Sequence, residues 1–531
     1  MRVTNNMITS NTKSNINANK VLVDKYNTQM TTQKKINKPS DDPVIAIRSL
    51  RMQTSLSHID QYLNNNISDA NSWLNVTDTA LENMKTILTD VRSLCVKGAT
   101  DTLKEDDRRT ILNQLKSLSD QIYAEGNADF SGRTVFTGYR TNKKLTFTED
   151  EQKTSYEIDQ KMSYADLQEH RYYGNDVTVP GNKADVLDGT KIASPTQAAY
   201  NRIRLGYDSI DSLDVTDAAG TTTKTSANGS TVTISYNYTD TTGTTPVNKT
   251  GNMNVTVYDS YDKWLEASTK TPKSYDIADG EAVLIRNTGE MVFSKTAADT
   301  LSTNKASLDI SYTKTGFTNG ELRPEYYYNC TNITDTNNKL KYEKYDKDGN
   351  QIYQDIDYVV AANQTLTVNT EASNVFDHGL SRDVDELIDA VQRSLDAEQK
   401  VTDLNAMKKM QEYSSDDCQA KLEEWIAAAE KERDYANDNM QKLYNSYIGN
   451  CDTYLQKVNL ALTDVGSNGQ SLALTKNRMS NEQETREELK SKNEDRELSD
   501  IILEYTAAYT AYQSSLQAAS NVNQVTLLSY L

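Results

Sequence analysis

The sequence predicts an α+β chain: an elongated rod of N- and C-terminal helices, coiled-coil in character, with an inserted β-rich domain. Three observations carry that prediction. Apolar residues recur at spacings of three and four near both ends, they alternate in the middle, and the composition changes where the period changes.

Residues 1–40 form a first segment. Ile16, Val23, Tyr26 and Met30 share one helical stripe, set among Asn, Thr, Lys and Ser that bury little by themselves. The stretch "KINKPSDDPVIAI" then interrupts the chain. Pro39 and Pro43 bias the residues before them away from helix, and Ser40 or Asp41 is placed to accept from the open amides of the helix that follows. Pro39, Ser40, Asp41, Asp42 and Pro43 therefore read as a joint, with the acidic pair at the positive end of the next helix.

Residues 41–140 continue as the N-terminal part of the rod. Leu74, Leu81, Met84, Leu88, Val91 and Cys95 follow one seam, and Ile111, Leu115, Leu118 and Ile122 follow a second after the polar "DTLKEDDRRT", which implies two antiparallel helices. Residues 141–379 are rich in Thr, Asn, Gly and Tyr. "STVTISYNY", "NMNVTVYDS" and "SLDISYT" alternate as strands do, and "VLIRNTGEMVF" reads as two strands joined at Asn287 to Gly289.

Residues 380–491 return to helix as the C-terminal part of the rod. Ile448, Cys451, Leu455, Val458, Leu462, Val465, Leu472 and Met479 make one seam, interrupted at Gly469. Residues 492–531 repeat the pattern with Leu498, Ile502, Tyr505, Tyr509, Tyr512, Leu516 and Ala519, a four-three alternation that needs a partner. Pairing this segment with residues 1–40 would bring Lys34, Lys35 and Lys38 to Glu494, Asp495 and Glu497.

A formal charge of −19 over 531 residues argues against nucleic acid or an anionic membrane as the main partner. No stretch approaches the length of a membrane span, and residues 1–30 lack the apolar core of a cleaved secretory signal. Taken alone, that pattern reads as cytoplasmic. The cysteines Cys95, Cys330, Cys418 and Cys451 are far apart in sequence, with no CxxC pair, so disulfides do not organise the fold.

Residues for chemistry are sparse. His58, His170 and His378 lie in different regions without paired-ligand spacing, which favours surface or packing roles. "YDKDGNQIYQD" starts like a calcium loop at Asp346, Asp348 and Asn350. Gly349 is in the fourth place rather than the sixth and no glutamate closes the loop, so a β-turn is the better reading. Phosphate-loop and nucleophile-elbow patterns are missing. No catalytic, cofactor-binding or metal-binding residue is assigned. The tyrosine-rich middle reads as strands with half-exposed aromatic rows rather than a glycan-binding face, and Trp73 and Trp425 as core residues.

Several motifs carry a resemblance. "MRVTNNMIT", "KINKPSDDPVIAI", "DFSGRTVFTGYRTNKKLTF", "NQTLTVNTEASNVF" and "AYTAYQSSLQAASNVNQVTLLSYL" together resemble the hook–filament junction proteins of the bacterial flagellum, within the flagellin family. The resemblance covers roughly residues 1–140 and 440–531. Flagellins themselves typically have an Ala-Gly-Leu-rich run after the paired aspartates, where this chain has Pro43 and Val44. The large insertion and the stretch "EKERDYANDNMQKLYNSY" depart from the family pattern, so the outer surface is not carried over.

The resemblance implies a structural adaptor with no enzymatic activity and no cofactor. It would sit outside the cell at the hook–filament junction, leaving through the flagellar type III export channel without a cleaved signal. The implied partners are the proximal junction protein, flagellin, further copies of the chain in a ring-like helical layer, and an export chaperone before secretion. The terminal seam would include Met7, Ile16, Val23, Ile502, Tyr509, Leu516, Leu527 and Leu531. A minor flagellin, a cytoplasmic coiled-coil scaffold and an enzyme bearing such ends are the competing readings.

Overall fold

A computed structural model of the chain describes residues 5–100, 105–216, 221–240 and 247–524. Terminal helices enclose a central β-rich segment, which is the α+β arrangement the sequence predicts. The chain divides into two compact units. The first gathers described residues within Met1–Asn71, Asp357–Thr367 and Asn468–Leu531, and the second those within Ser72–Ile356 and Val368–Ser467.

In the first unit the N-terminal helix Asn5–Thr32 pairs with the C-terminal helix Leu498–Gln524. The chain leaves the N-terminal helix at Gln33, which has a positive φ of 55°. It then passes through the proline joint into the helix Pro43–Asp60. The joint works differently from the expectation that Ser40 or Asp41 caps this helix. Asp42 is the cap: its Oδ1 accepts from Val44 N at 2.9 Å and Ile45 N at 3.2 Å, with Pro43 in the first turn where its missing N–H costs nothing. Asp41 faces backward instead, accepting from Asn37 N at 3.0 Å and Lys38 N at 2.9 Å. Those two amides hold its carboxyl below the usual range. An offset of one residue from Asp41, or two from Ser40, decides the matter, because only the residue directly before Pro43 can reach the second and third amides.

The helix continues through a π-helical turn, Gln61–Asn66. A small hairpin, Asp357–Ala361 with Gln364–Thr367, is attached there by Asn66 Nδ2 donating to Val359 O at 2.7 Å. Gln364 also donates to Thr475 Oγ1 at 3.2 Å, and Asn468 to Thr367 O at 3.2 Å, on the long helix Asp416–Glu494. This places "NQTLT" with the terminal helices rather than with the β-rich segment around it.

The second unit contains a twelve-stranded, mostly antiparallel sheet. The three stretches read as strands are Ser230–Asp240, Val247–Tyr258 and Ser307–Thr315. The hairpin Ala282–Ile285 with Glu290–Phe293 turns at Gly289, whose φ is +57° and where a Cβ would fall 2.0 Å from Tyr207 O. Only glycine fits that turn. The sheet core includes Phe147, Tyr156, Ile158, Leu205, Tyr207, Leu284, Phe293, Leu308 and Phe317. Helical seams form a second layer of burial: Leu74, Leu81, Met84, Leu88, Val91 and Cys95 are all buried, as are Leu115 and Ile122. Trp73 and Trp425 are both core residues.

Candidate assembly interface

The terminal helix pair is rooted in a polar knot. Gln29 is 4% exposed, donating through Nε2 to Lys35 O at 2.6 Å and accepting at Oε1 from Arg496 at 3.2 Å. Lys35 N donates to Glu494 O at 2.6 Å, and Arg496 N to Gln33 O at 3.0 Å, so backbone joins backbone across an antiparallel bridge. Lys34 Nζ lies 3.2 Å from Glu494 Oε2 and 2.5 Å from Asp495 Oδ1. That hydrogen bond to Lys34 holds the Asp495 carboxyl low and, in return, pushes the Lys34 ammonium up. Lys35 instead donates through Nζ to Lys492 O at 2.6 Å, and Lys38 to Asp41 through its backbone. Arg496 also pairs with Glu504 and lies over the Tyr26 ring, 5.9 Å from its centre.

Beyond the knot, Asn19 Nδ2 donates to Ala511 O at 3.4 Å. With Gln29 beside Arg496 and Asn19 beside Ala511, the two helices run antiparallel. The N-terminal helix half-buries Thr12, Ile16, Asn19, Val23 and Tyr26 in a four-three alternation and buries Gln29 three residues further on.

The C-terminal helix carries two overlapping heptad stripes. Ile501 and Ala508 are buried, and Tyr505, Tyr512, Ser515 and Ala519 are half-buried; these continue one stripe. Leu498, Ile502, Tyr509 and Leu516 form the other and are 43%, 46%, 42% and 44% exposed. Of the proposed seam residues, Ile16 and Val23 are therefore half-buried in the pair, while Met7, Ile502, Tyr509 and Leu516 face solvent in the single chain. Leu527 and Leu531 lie outside the described residues.

Residues that pattern reading missed are the small ones. It selects the large apolar positions 502, 509 and 516, but one residue earlier in each case the helix pair buries Ile501 and Ala508 and half-buries Ser515. The same offset recurs in the long helix. Cys451, Val458, Val465, Leu472 and Met479 are buried as predicted, whereas Tyr447, Tyr454 and Ala461 are buried in place of Ile448, Leu455 and Leu462. Small side chains such as Ala508 let helices approach closely, and apolarity alone does not single them out.

The candidates for chemistry lie apart from one another. His58 is exposed on its helix. His378 is buried, with Nε2 2.9 Å from Tyr207 OH and the Tyr327 ring edge-on at 4.2 Å. Burial pushes its imidazole down to about 3. His170 Nδ1 lies 3.4 Å from Glu386 in a cluster where Arg202 bridges Glu290 at 2.9 Å and Glu386 at 2.7 Å. Burial, then the Arg202 charge, pushes His170 down to about 4. At the calcium-like stretch, Asp346 spends its oxygens on its own loop, accepting from Asp348 N at 2.9 Å and Asn350 N at 2.8 Å. Among the described residues no group of three or more His, Cys, Asp or Glu side chains could hold a metal, and no helix is long and apolar enough to cross a membrane.

Comparison with known proteins places relatives beside these features. Residues 3–141 match the bacterial flagellin N-terminal helical region. Flagellar hook-associated protein 3 of Escherichia coli (strain K12) is 28% identical over 130 residues, covering 24% of this chain and 40% of the relative. The Salmonella typhimurium protein of the same name is 27% identical over 142 residues, 27% of this chain and 44% of its own length. A flagellin of Clostridium tyrobutyricum is 25% identical over 139 residues, 26% of this chain and 37% of its own. The chain thus spans less than half the length of the curated relatives it matches. Among solved structures, the flagellar junction protein FlgL from Legionella pneumophila superposes with a TM-score of 0.25 at 12% identity, over 80% of this chain and 98% of that one. Xanthomonas campestris FlgL does so at 0.20 and 11%, over 78% and 99%.

Proposed function

We propose that the chain is a member of the flagellin family and a structural adaptor at the hook–filament junction of the bacterial flagellum, a reading supported by the match of residues 3–141 to the flagellin N-terminal helical region and by the hook-associated relatives. It joins the proximal junction protein on one side to flagellin on the other, as one member of a ring-like helical layer of identical subunits. It reaches that place through the flagellar type III channel without a cleaved signal, held beforehand by a chaperone at its apolar C-terminal region.

The observation that carries this reading is the second stripe of the C-terminal helix. Ile502, Tyr509 and Leu516 repeat at heptad spacing, with Leu498 one turn before them, on a helix whose other stripe is already occupied. Four large apolar side chains exposed in one row are costly in water and favour a further helix against them. Terminal helices of neighbouring subunits supply it. Proline and aspartate at residues 39–43 then act as the joint between this inner segment and the rest of the chain, residues 1–40 pairing with 492–531 and the insertion 141–379 facing outward.

The Clostridium tyrobutyricum flagellin match favours a second reading, a minor filament subunit. Deletion of the gene separates the two. A junction adaptor predicts hooks without filaments and flagellin released into the medium, restored by the gene in trans; persisting filaments would favour the minor flagellin.

A further inference from the structure

The helix Ile67–Gly98 and the long helix Asp416–Glu494 meet at three successive places within the second unit. Arg92 forks onto Asp452, Nε donating to Oδ1 at 2.6 Å and Nη2 to Oδ2 at 3.3 Å, between residues 360 positions apart. One turn on, Cys95 on the first helix and Cys451, next to Asp452 on the second, are both buried, each 2% exposed, with Cys95 acting on the Cys451 thiol. Another turn on, Gly98 lies so near the Tyr444 ring that a Cβ there would fall 2.3 Å from Cε1. Contacts on both sides thus hold the two sulfurs on facing helix surfaces. Both are free thiols, and a pair of sulfurs without a third ligand does not make a zinc site.

We propose that Cys95 and Cys451 are a modification site at which the chain acquires an intramolecular disulfide when it folds in the presence of a small-molecule disulfide. One cysteine thiolate attacks the small disulfide, forming a mixed disulfide and releasing one small thiol. The partner thiolate then attacks the protein-bound sulfur, the protein S–S bond forms and the second small thiol leaves. Two protein thiols are oxidised, one small disulfide is reduced to two thiols, and the two protons end on the released thiols. The bond forms as the helices dock rather than afterwards. Once docked, the hydrogen bond to Cys95 and burial push the Cys451 thiol up, which leaves little thiolate for attack. A link between positions so distant in sequence restricts the unfolded chain strongly, so the oxidised form resists heat better than the reduced form.

Cys330 in the sheet core and Cys418 beside Trp425 lie in separate clusters and serve as internal controls. The full chain is reduced, denatured and refolded with oxidised glutathione, and the fraction with the native circular-dichroism spectrum is collected. Its remaining thiols are blocked under denaturing conditions and its peptides mapped by mass spectrometry. The expected result is a Cys95 peptide joined to a Cys451 peptide in most molecules, Cys330 and Cys418 blocked, and a Tm that falls when the bond is reduced. A Cys95→Ser/Cys451→Ser variant should lose that redox dependence. Four blocked thiols in the native fraction, or links distributed over all four cysteines, would overturn the proposal. The map is made on the unsubstituted chain, so it decides even where the variant does not fold.

Discussion

Phe136 meets Phe376 edge-on, with ring centroids 5.0 Å apart, planes at 78° and both rings 1% exposed. The backbone joins there too, Ala372 N donating to Phe136 O at 2.9 Å. These residues belong to "GRTVFTGY" and "EASNVF", two of the motifs that carry the family resemblance, so the motifs form one packed junction where the chain leaves and re-enters the helices of the second unit. Phe136→Ala removes one of the two buried rings of that junction and should cost about 3–5 kcal/mol of stability, measured by denaturant unfolding.

Acid should begin to weaken the second unit as pH falls below about 6.5. His170 and His378 are held neutral by burial at about 4 and about 3, below the ordinary imidazole value near 6.5. Between those values the unfolded chain binds more protons than the folded one, so this contribution is intact above about pH 6.5 and is lost as pH falls towards the folded values. By pH 5 each imidazole should cost on the order of 2 kcal/mol. Thermal unfolding followed from pH 7 to pH 5 should show the loss, and His378→Gln should flatten it; an unchanged slope in the variant would remove His378 from the account.

The two stripes of the C-terminal helix predict opposite mutational signatures. Ala508→Leu places extra methylenes in the closed face and should weaken the terminal pair by about 1–3 kcal/mol, read as faster amide exchange across both helices. Leu516→Ala removes an exposed side chain and should leave the isolated chain within about 0.5 kcal/mol of its original stability. Assembly onto hooks should nevertheless drop if the proposed seam buries Leu516 against a neighbouring subunit. Undiminished assembly of the variant would take Leu516 out of the seam.

Replacing the joint's cap gives a smaller, local effect. Asp42→Ala leaves the amides of Val44 and Ile45 without their acceptor and should cost about 0.5–2 kcal/mol, visible as faster exchange in the first turn of Pro43–Asp60. Asp41→Ala should spare that turn and loosen Asn37 and Lys38 instead.

Much of this fold is legible in the sequence because period and burial coincide. The seam from Leu74 to Cys95 and the strands at Ser230–Asp240 and Val247–Tyr258 stand where alternation puts them. Legibility fails where a helix has two apolar faces. A search for large apolar residues at positions 502, 509 and 516 selects the open face, since Ala508 and Ser515 on the closed face carry almost no hydrophobic signal. It fails again for side chains that meet across hundreds of residues. Nothing in the spacing of Cys95 and Cys451, or of Lys34 and Asp495, marks them as neighbours; facing helices bring the first pair together and an antiparallel backbone bridge the second. The buried Arg202–Glu386 cluster is hidden in the same way, each residue lying on its own strand or helix as an ordinary charge.

The central claim, a subunit confined to the junction, is tested most directly by where the chain sits on a flagellum. Isolated hook-filaments are labelled with a gold-conjugated antibody raised against residues 141–377 and imaged by electron microscopy. The account predicts a narrow band of gold at the distal end of the hook. Gold along the length of the filament would contradict it.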